Sequence, residues 1–234
     1  MKLGDIKIEL IQKNIKNMHL SVLPPHGEVR IAAPLYLSEQ TIRLYAISKL
    51  PWIKAQQKKI RGQERESKRE FINNETHYFQ GRKYLLRIFI VDQPAKVVLN
   101  NKYLDLYLRP GTNTSQRQRI LNQWYRHQMK ALLPIYIKKW EKIIPVKVSE
   151  FGIKLMKTKW GTCNIEEKRI WLNLELAKKP LQCLEYIVVH EMVHLLERRH
   201  NDRFMSYLNK FMPQWRSHKE ELNRLPISHL DWGY

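Results

Sequence analysis

Apolar residues in the first third of the chain alternate with polar ones. Ile6, Ile8 and Leu10, then Met18, Leu20 and Val22, then Val29 and Ile31 recur at every second position, which predicts strands with one buried face. The period then lengthens. Ser38 can cap a helix over residues 41–50, and Pro51 opens a second, basic helix at Trp52 that fades in the charged run near Arg69. Alternation returns at Tyr84, Leu86, Ile88 and Ile90 after a turn at Gly81. It returns again at Leu104, Leu106 and Leu108 after a turn at Asn100-Asn101, so two hairpins are expected. Arg109-Pro110-Gly111-Thr112 breaks the pattern and is read as a boundary. Residues 1–112 are then a β-rich N-terminal part with a basic helical pair, and residues 113–234 a second part.

In the second part Thr114 or Ser115 caps a long amphipathic helix carrying Ile120, Leu121, Trp124, Tyr125 and Leu132, interrupted near Pro134. Strands are expected at 146–148, 151–157 and 169–174, with Trp160-Gly161-Thr162-Cys163 as a glycine-containing turn. Pro180 opens the next helix. Its apolar residues Leu184, Ile187, Val188, Val189, Met192, Val193, Leu195 and Leu196 cover most of its circumference, so it is largely buried. Short helices from Asp202 and Pro213 finish the chain. The fold class expected is α+β, with no internal repeat evident.

The buried helix carries chemistry. His190, Glu191 and His194 read H-E-M-V-H, a pattern that chance alone produces in roughly one chain in forty of this composition. On a helix, positions i and i+4 lie about 40° apart, so both histidines face one ion. Glu191 lies about 100° round from His190, where it reaches a water beside the ion but not the ion itself. Two histidines and a glutamate on a buried helix cost several kcal/mol without partners, and a zinc ion with its water supplies them. Glu197 shares the face of His190 and His194, but on a straight helix those three would span about 10 Å, too far for one ion. The chain must reverse, and the polar run from Glu197 to Asn201 lets His200 fold back as the third ligand. The H-x-x-x-H-x-x-x-x-x-H spacing is that of metzincins, yet Glu197 takes their glycine position and no methionine turn is identified. The site is therefore read as zincin-type: one zinc per chain on His190, His194 and His200, with Glu191 as catalytic base.

Composition sharpens the surroundings. The net charge is +20. Residues 54–70 hold seven basic and three acidic side chains; residues 117–142 hold seven and one, interleaved with Trp124, Tyr125, Tyr136 and Trp140. That balance suits nucleic-acid phosphates, and equally a solvated basic surface over aromatics that belong to the core. No apolar run is long enough to span a membrane, and the chain begins Met-Lys-Leu-Gly-Asp with no apolar stretch of signal-peptide length. Cys163 and Cys183 are too few and too far apart for a disulfide scaffold or a close metal pair. A cytoplasmic protein is expected. Cys163 is read as a small buried thiol.

Lys159-Trp160-Gly161-Thr162-Cys163, then Ile170-Trp171-Leu172-Asn173, then Tyr186 through His194, then His200-Asn201-Asp202-Arg203-Phe204 form an ordered set. This set resembles the YgjP-like metallopeptidase family, which is related to the SprT-like zincins. Strands ending at Ala32-Ala33-Pro34 resemble it more loosely. Thr162 stands where the family often has serine, and Arg198-Arg199 puts positive charge beside His200. The resemblance implies a zincin-like core, zinc on the three histidines and Glu191 as the catalytic residue. It also implies a hydrolase acting on a peptide or protein; SprT-like relatives degrade proteins crosslinked to DNA. Two other functions stay open. Nucleotide pyrophosphatase activity has been ascribed within the group and uses the same zinc site. A non-catalytic DNA-associated module would use the zinc only structurally. Trp160 is expected either to wall the substrate cleft or simply to pack. Asn173 is expected to bind the substrate backbone, to tie a neighbouring loop, or to serve simply as a strand-end turn residue. The strand at 169–174 is a candidate edge for an extended peptide.

Overall fold

A computed structural model describes residues 1–23, 26–62, 69–156 and 159–225. Among these residues, six α-helices and three β-sheets make an α+β fold. They fall into two compact units, one within residues 1–66 and one within 67–229.

In the first unit, β1 (Lys2–Leu3), β2 (Ile6–Lys13), β3 (His19–Leu23) and β4 (Glu28–Pro34) form a sheet of order β1-β2-β4-β3. The central pair β2·β4 is parallel and its flanking pairs are antiparallel. Helices α1 (Glu39–Ser48) and α2 (Leu50–Gly62) follow. Ser38 caps α1, its side chain accepting from Thr41 N. Ile8, Val29, Ile31 and Ala33 of the strands form a core with Ile42, Ala46 and Ile53 of the helices. The expected extension of the second helix toward Arg69 falls on residues 63–68, outside those described.

The second unit begins with β5 (Thr76–Phe79), β6 (Arg82–Ile90), β7 (Lys96–Leu99) and β8 (Tyr103–Leu108). Their order β5-β6-β8-β7, with β6·β8 parallel and the flanking pairs antiparallel, repeats the topology of the first sheet. Each sheet also carries an arginine–carboxylate pair across its parallel strands, Arg30 with Glu9 and Arg87 with Asp105, with the charges exchanged between strands. The duplication is one of topology, and the side chains hide it from the sequence. One face of the second sheet, with Phe79, Tyr84, Leu86, Leu104, Leu106 and Leu108, shares a core with Leu121, Tyr125, Met129 and Leu133 of α3 (Thr114–Glu141). That shared core moves the boundary. The Pro-Gly break at 109–112 is a loop inside the second unit, not the division expected there.

Helix α3 departs from expectation twice. Asn113, not Thr114 or Ser115, caps it, exchanging side-chain hydrogen bonds with Gln116 in a capping box. The helix also continues through Pro134. A helix-interior proline costs about 3 kcal/mol, but Leu133, Ile137 and Trp140 on either side are buried, and their burial outweighs that cost at roughly 1.5–3 kcal/mol each. Tyr125 and Trp140 are buried, and Trp124 and Tyr136 pack against the same core. The aromatics of α3 are therefore structural.

After α3, β9 (Glu150–Lys154), β10 (Gly161–Asn164) and β11 (Arg169–Asn173) form a sheet of order β10-β11-β9. Residues 146–148 are not a strand; Val148 N instead donates to Glu141 Oε1 at 2.9 Å. The Trp160–Cys163 stretch, expected as a turn, supplies β10, and β11, expected as an edge, is central. A 3-10 helix (Leu174–Lys178) then leads into α4 (Leu181–Val193), α5 (Asp202–Phe211) and α6 (Trp215–Arg224). No described helix is long and apolar enough to cross a membrane.

The β5–β6 turn docks where α4 begins. Gln80 N and Gly81 N donate to Ala177 O and Lys178 O at 2.9 and 3.1 Å. Gly81 has φ +80°, and a Cβ there would lie 2.8 Å from Pro180 Cγ. Gly81→Ala therefore combines a left-handed backbone with overpacking. It is expected to cost about 2–4 kcal/mol, read as a lower urea midpoint at unchanged slope.

Candidate metal centre

Helix α4 is apolar nearly all round, with Leu184, Val188, Val189, Met192 and Val193 at most 1% exposed. Pro180 precedes its first residue and His194 closes it as C-cap. The apolar run to Leu196 suggests a longer helix. Instead the backbone tightens, with Leu196 N and Glu197 N both donating to Val193 O at 2.9 and 3.0 Å. The reversal expected after Glu197 thus begins a turn earlier. The chain re-enters helix at Asn201, whose side chain caps α5 by accepting from Phe204 N at 3.0 Å.

This path brings the three histidines together. One ring nitrogen from each of His190, His194 and His200 lies within 4.8 Å of the others, and this is the metal-holding group found among the described residues. His190 Nε2 and His200 Nε2 are 3.0 Å apart. Two neutral imidazole lone pairs repel at that distance unless a proton or a cation lies against both. A divalent ion about 2 Å from three imidazole nitrogens would space them roughly 3.3 Å apart, close to the separation of His190 Nε2 and His200 Nε2. His194 Nδ1 lies 3.1 Å from Glu197 O, so donating there leaves Nε2 as its lone-pair nitrogen. Burial, then the other two histidines and Lys219, pushes His190 down to about 3. His194 and His200 are also lowered, each chiefly by burial. All three are held as neutral rings, the form that binds metal.

Phe204 fixes the group from below. Its ring centroid lies 5.0, 4.6 and 4.8 Å from those of His190, His194 and His200, and the side chain is fully buried. Sequence reasoning gave Phe204 no role. The available signal was Phe204 and Leu208, an apolar i, i+4 pair just after the third histidine.

Glu191 points toward the third sheet. Its side chain is 4% exposed and lies so close to Gly161 of β10 that a Cβ there would sit 2.5 Å from Oε1. Burial pushes the Glu191 carboxyl up to about 8, opposed by the charge of Lys159. The triad and Glu191 open on a cleft of about 810 Å³ walled by Gly161, Thr162, Cys163 and Asn164 of β10. Lys159, Arg198 and Lys219 also line it. The sequence reading noted the charge at Arg198 but missed Lys219, which reaches the cleft from α6.

The two remaining candidates separate. Trp160 lines the cleft and also packs on the core, as either expectation allowed. Asn173 is buried at 4% exposure, and its side chain is fully engaged. Nδ2 donates to Met156 O and Lys159 O at 2.9 and 2.8 Å, while Oδ1 accepts from Met156 N and Glu175 N. Four bonds exhaust an amide side chain. Asn173 therefore ties the loop that carries Trp160, and the substrate-backbone role is not the one it plays. Cys163 is half-buried in the cleft wall, its thiol pushed up to about 12 by burial and then by Glu191.

Gly161→Ala tests how separately the carboxylate and the imidazoles are held. The added methyl is expected to displace the Glu191 carboxylate and cost about 1–3 kcal/mol in chemical denaturation. Calorimetric affinity for a divalent ion should stay within about ten-fold, because direct ligands and their orienting partners carry most of it. A larger loss would show that the two sets move as one unit.

No curated protein matches the chain significantly. A family model does, that of the YgjP-like metallopeptidase domain, over residues 16–225. The match runs through β10, the HExxH helix and the third histidine, and the chain belongs to the YgjP-like metallopeptidase family.

Proposed function

We propose that this chain is a zinc-dependent hydrolase of the metallopeptidase type, with His190, His194 and His200 as ligands of one zinc ion and Glu191 as general base. The observation that carries this reading is the convergence of three neutral imidazoles beside a buried carboxylate, at the wall of a cleft bounded by an edge strand. When bound, zinc supplies Lewis acidity that brings the pKa of water toward 7 and polarises a carbonyl. The residues do the rest. Burial alone raises the Glu191 carboxyl, but the positive charge of a bound ion would hold it ionised, so that it would accept a proton from the attacking water at a carboxylate oxygen and deliver it to the departing amine. Gly161 leaves the space that this carboxylate occupies. Among the described residues strand β10 pairs only with β11, and its outer edge is where an extended peptide would add a strand. Trp160 walls the same cleft. Two free thiols fit a reducing compartment, consistent with a cytoplasmic protein.

Lys159, Arg198 and Lys219 favour a substrate with acidic groups near the bond cleaved. The same cations keep a second reading in play, hydrolysis of a nucleotide phosphoanhydride at the same centre. Casein and nucleoside triphosphates assayed side by side separate the two. A zinc that is only structural predicts full function in Glu191→Gln.

Two variants test the assignment. Glu191→Gln should keep its zinc by metal analysis and lose at least about 100-fold in hydrolysis; surviving activity removes the general base. His200→Ala should weaken zinc binding by at least about 100-fold, more than loss of an orienting partner costs. Unchanged affinity would take His200 out of the ligand set.

A further inference from the structure

The second sheet has a face that the core does not use. Strand alternation points Leu85, Arg87 and Phe89 of β6 and Tyr103, Asp105 and Tyr107 of β8 away from α3, and parallel pairing sets them side by side as Leu85–Tyr103, Arg87–Asp105 and Phe89–Tyr107. The outermost pair is stacked, with ring centroids 5.0 Å apart and planes 19° off parallel. The middle pair is an ion pair in which Arg87 Nε and Nη2 donate to Asp105 at 2.7 and 2.8 Å. Asn100 also donates to Asp105. So held, the guanidinium lies 3.9 Å from the centre of the Tyr103 ring and 5.7 Å from that of Phe89. Aromatic and guanidinium groups thus run in one strip along the two central strands. Phe89 is 37% exposed and Leu85 38%, and both tyrosines are half-buried.

The first sheet provides an internal control. It has the same topology and the same cross-strand arginine–carboxylate pair, yet its corresponding face presents Lys7, Glu9, Ile11, Arg30 and Ala32. The architecture does not require exposed aromatic rings there. Charge identifies what would cover them. Residues 76–108 contain five lysines and arginines and two aspartates, one of which is the Asp105 buried beneath Arg87. Lys96 stands across from Tyr107, and Arg82, Lys83 and Lys102 are exposed around the sheet. Rings that accept flat stacking partners, rimmed by cations, match unpaired bases on a phosphate chain. A duplex hides the base faces that such rings engage.

We propose that the outer face of the β5-β6-β8-β7 sheet binds single-stranded nucleic acid, with bases stacking against the Phe89–Tyr107 pair and phosphates meeting Lys96 and its basic neighbours. The proposal is independent of the hydrolase reading, since none of these residues lines the metal cleft.

Fluorescence anisotropy of the full chain with labelled oligodeoxyuridylate and oligouridylate of about 12 nucleotides, at roughly 0.15 M salt, tests it. Either oligomer should bind more tightly than a duplex of equal length, and the tighter of the two names the sugar. Phe89→Leu and Tyr107→Leu, made separately, should each weaken binding about ten-fold while leaving metal content and peptide hydrolysis unchanged. Lys96→Gln should lower the slope of log affinity against log salt by about 0.7. In the wild-type chain, photocrosslinks from a 4-thiouridine oligomer should fall within residues 82–109. The proposal is overturned by absence of binding, by equal binding of the duplex, by leucine variants that bind like wild type, or by crosslinks confined elsewhere. The crosslinking result holds even if a leucine variant fails to fold.

Discussion

Helix α4 is buried on nearly every side, and that burial governs the rest of the second unit. Beyond Gln182 and Glu185 in its first turns, a helix with Val188, Val189, Met192 and Val193 packed inward has little wet face on which polar side chains can lie. His190 and Glu191 must leave it in the directions where neighbouring elements have made room. For the imidazoles that place is the edge of Phe204, an aromatic floor reached because Asn201 restarts the chain as helix. For the carboxylate it is the hollow over Gly161, the residue of β10 without a side chain. The centre is thus assembled by what surrounds α4, although most of its polar atoms come from α4 itself.

How much of this was legible follows from the range of each signal. The HExxH spacing speaks through one turn of helix, so His190, Glu191 and His194 could be read directly. His200 required only the argument that a straight helix cannot deliver a third ligand. Ser38 and Pro180 mark helix starts through local backbone chemistry. Non-local features were harder. Residues 146–148 alternate as a strand should, but the Val146 amide goes to Ile144 O and the Val148 amide to the side chain of Glu141 instead. Residues 161–164 look like a turn because of Gly161, yet β11 draws them into the sheet. Pro134 reads as an interruption until the buried residues flanking it are counted. The Pro-Gly break at 109–112 resembles a boundary, but the residues on either side share one core.

The two four-stranded sheets carry a related lesson. Their shared strand order and the exchanged Arg–carboxylate pairs repeat at the level of backbone pairing. Their outward faces differ in chemistry because outward positions are not bound by the core. One sheet spends them on scattered polar side chains, the other on a strip of rings. Where topology is held constant in this way, differences between corresponding faces are not required by the architecture.

The link between the second and third histidines acts as a ruler. Leu195 through Arg199 joins the end of α4 to the cap of α5, and Val193 O already holds two of its amides. Arg199 joins the path through its backbone, its N donating to Glu197 Oε1, while the Arg198 side chain is left to line the cleft. Adding or removing a single residue there would change the span between the end of α4 and the start of α5, and so shift His200 and Phe204 from their places beside His190 and His194. This stretch is therefore closed to the changes in length that surface loops ordinarily permit.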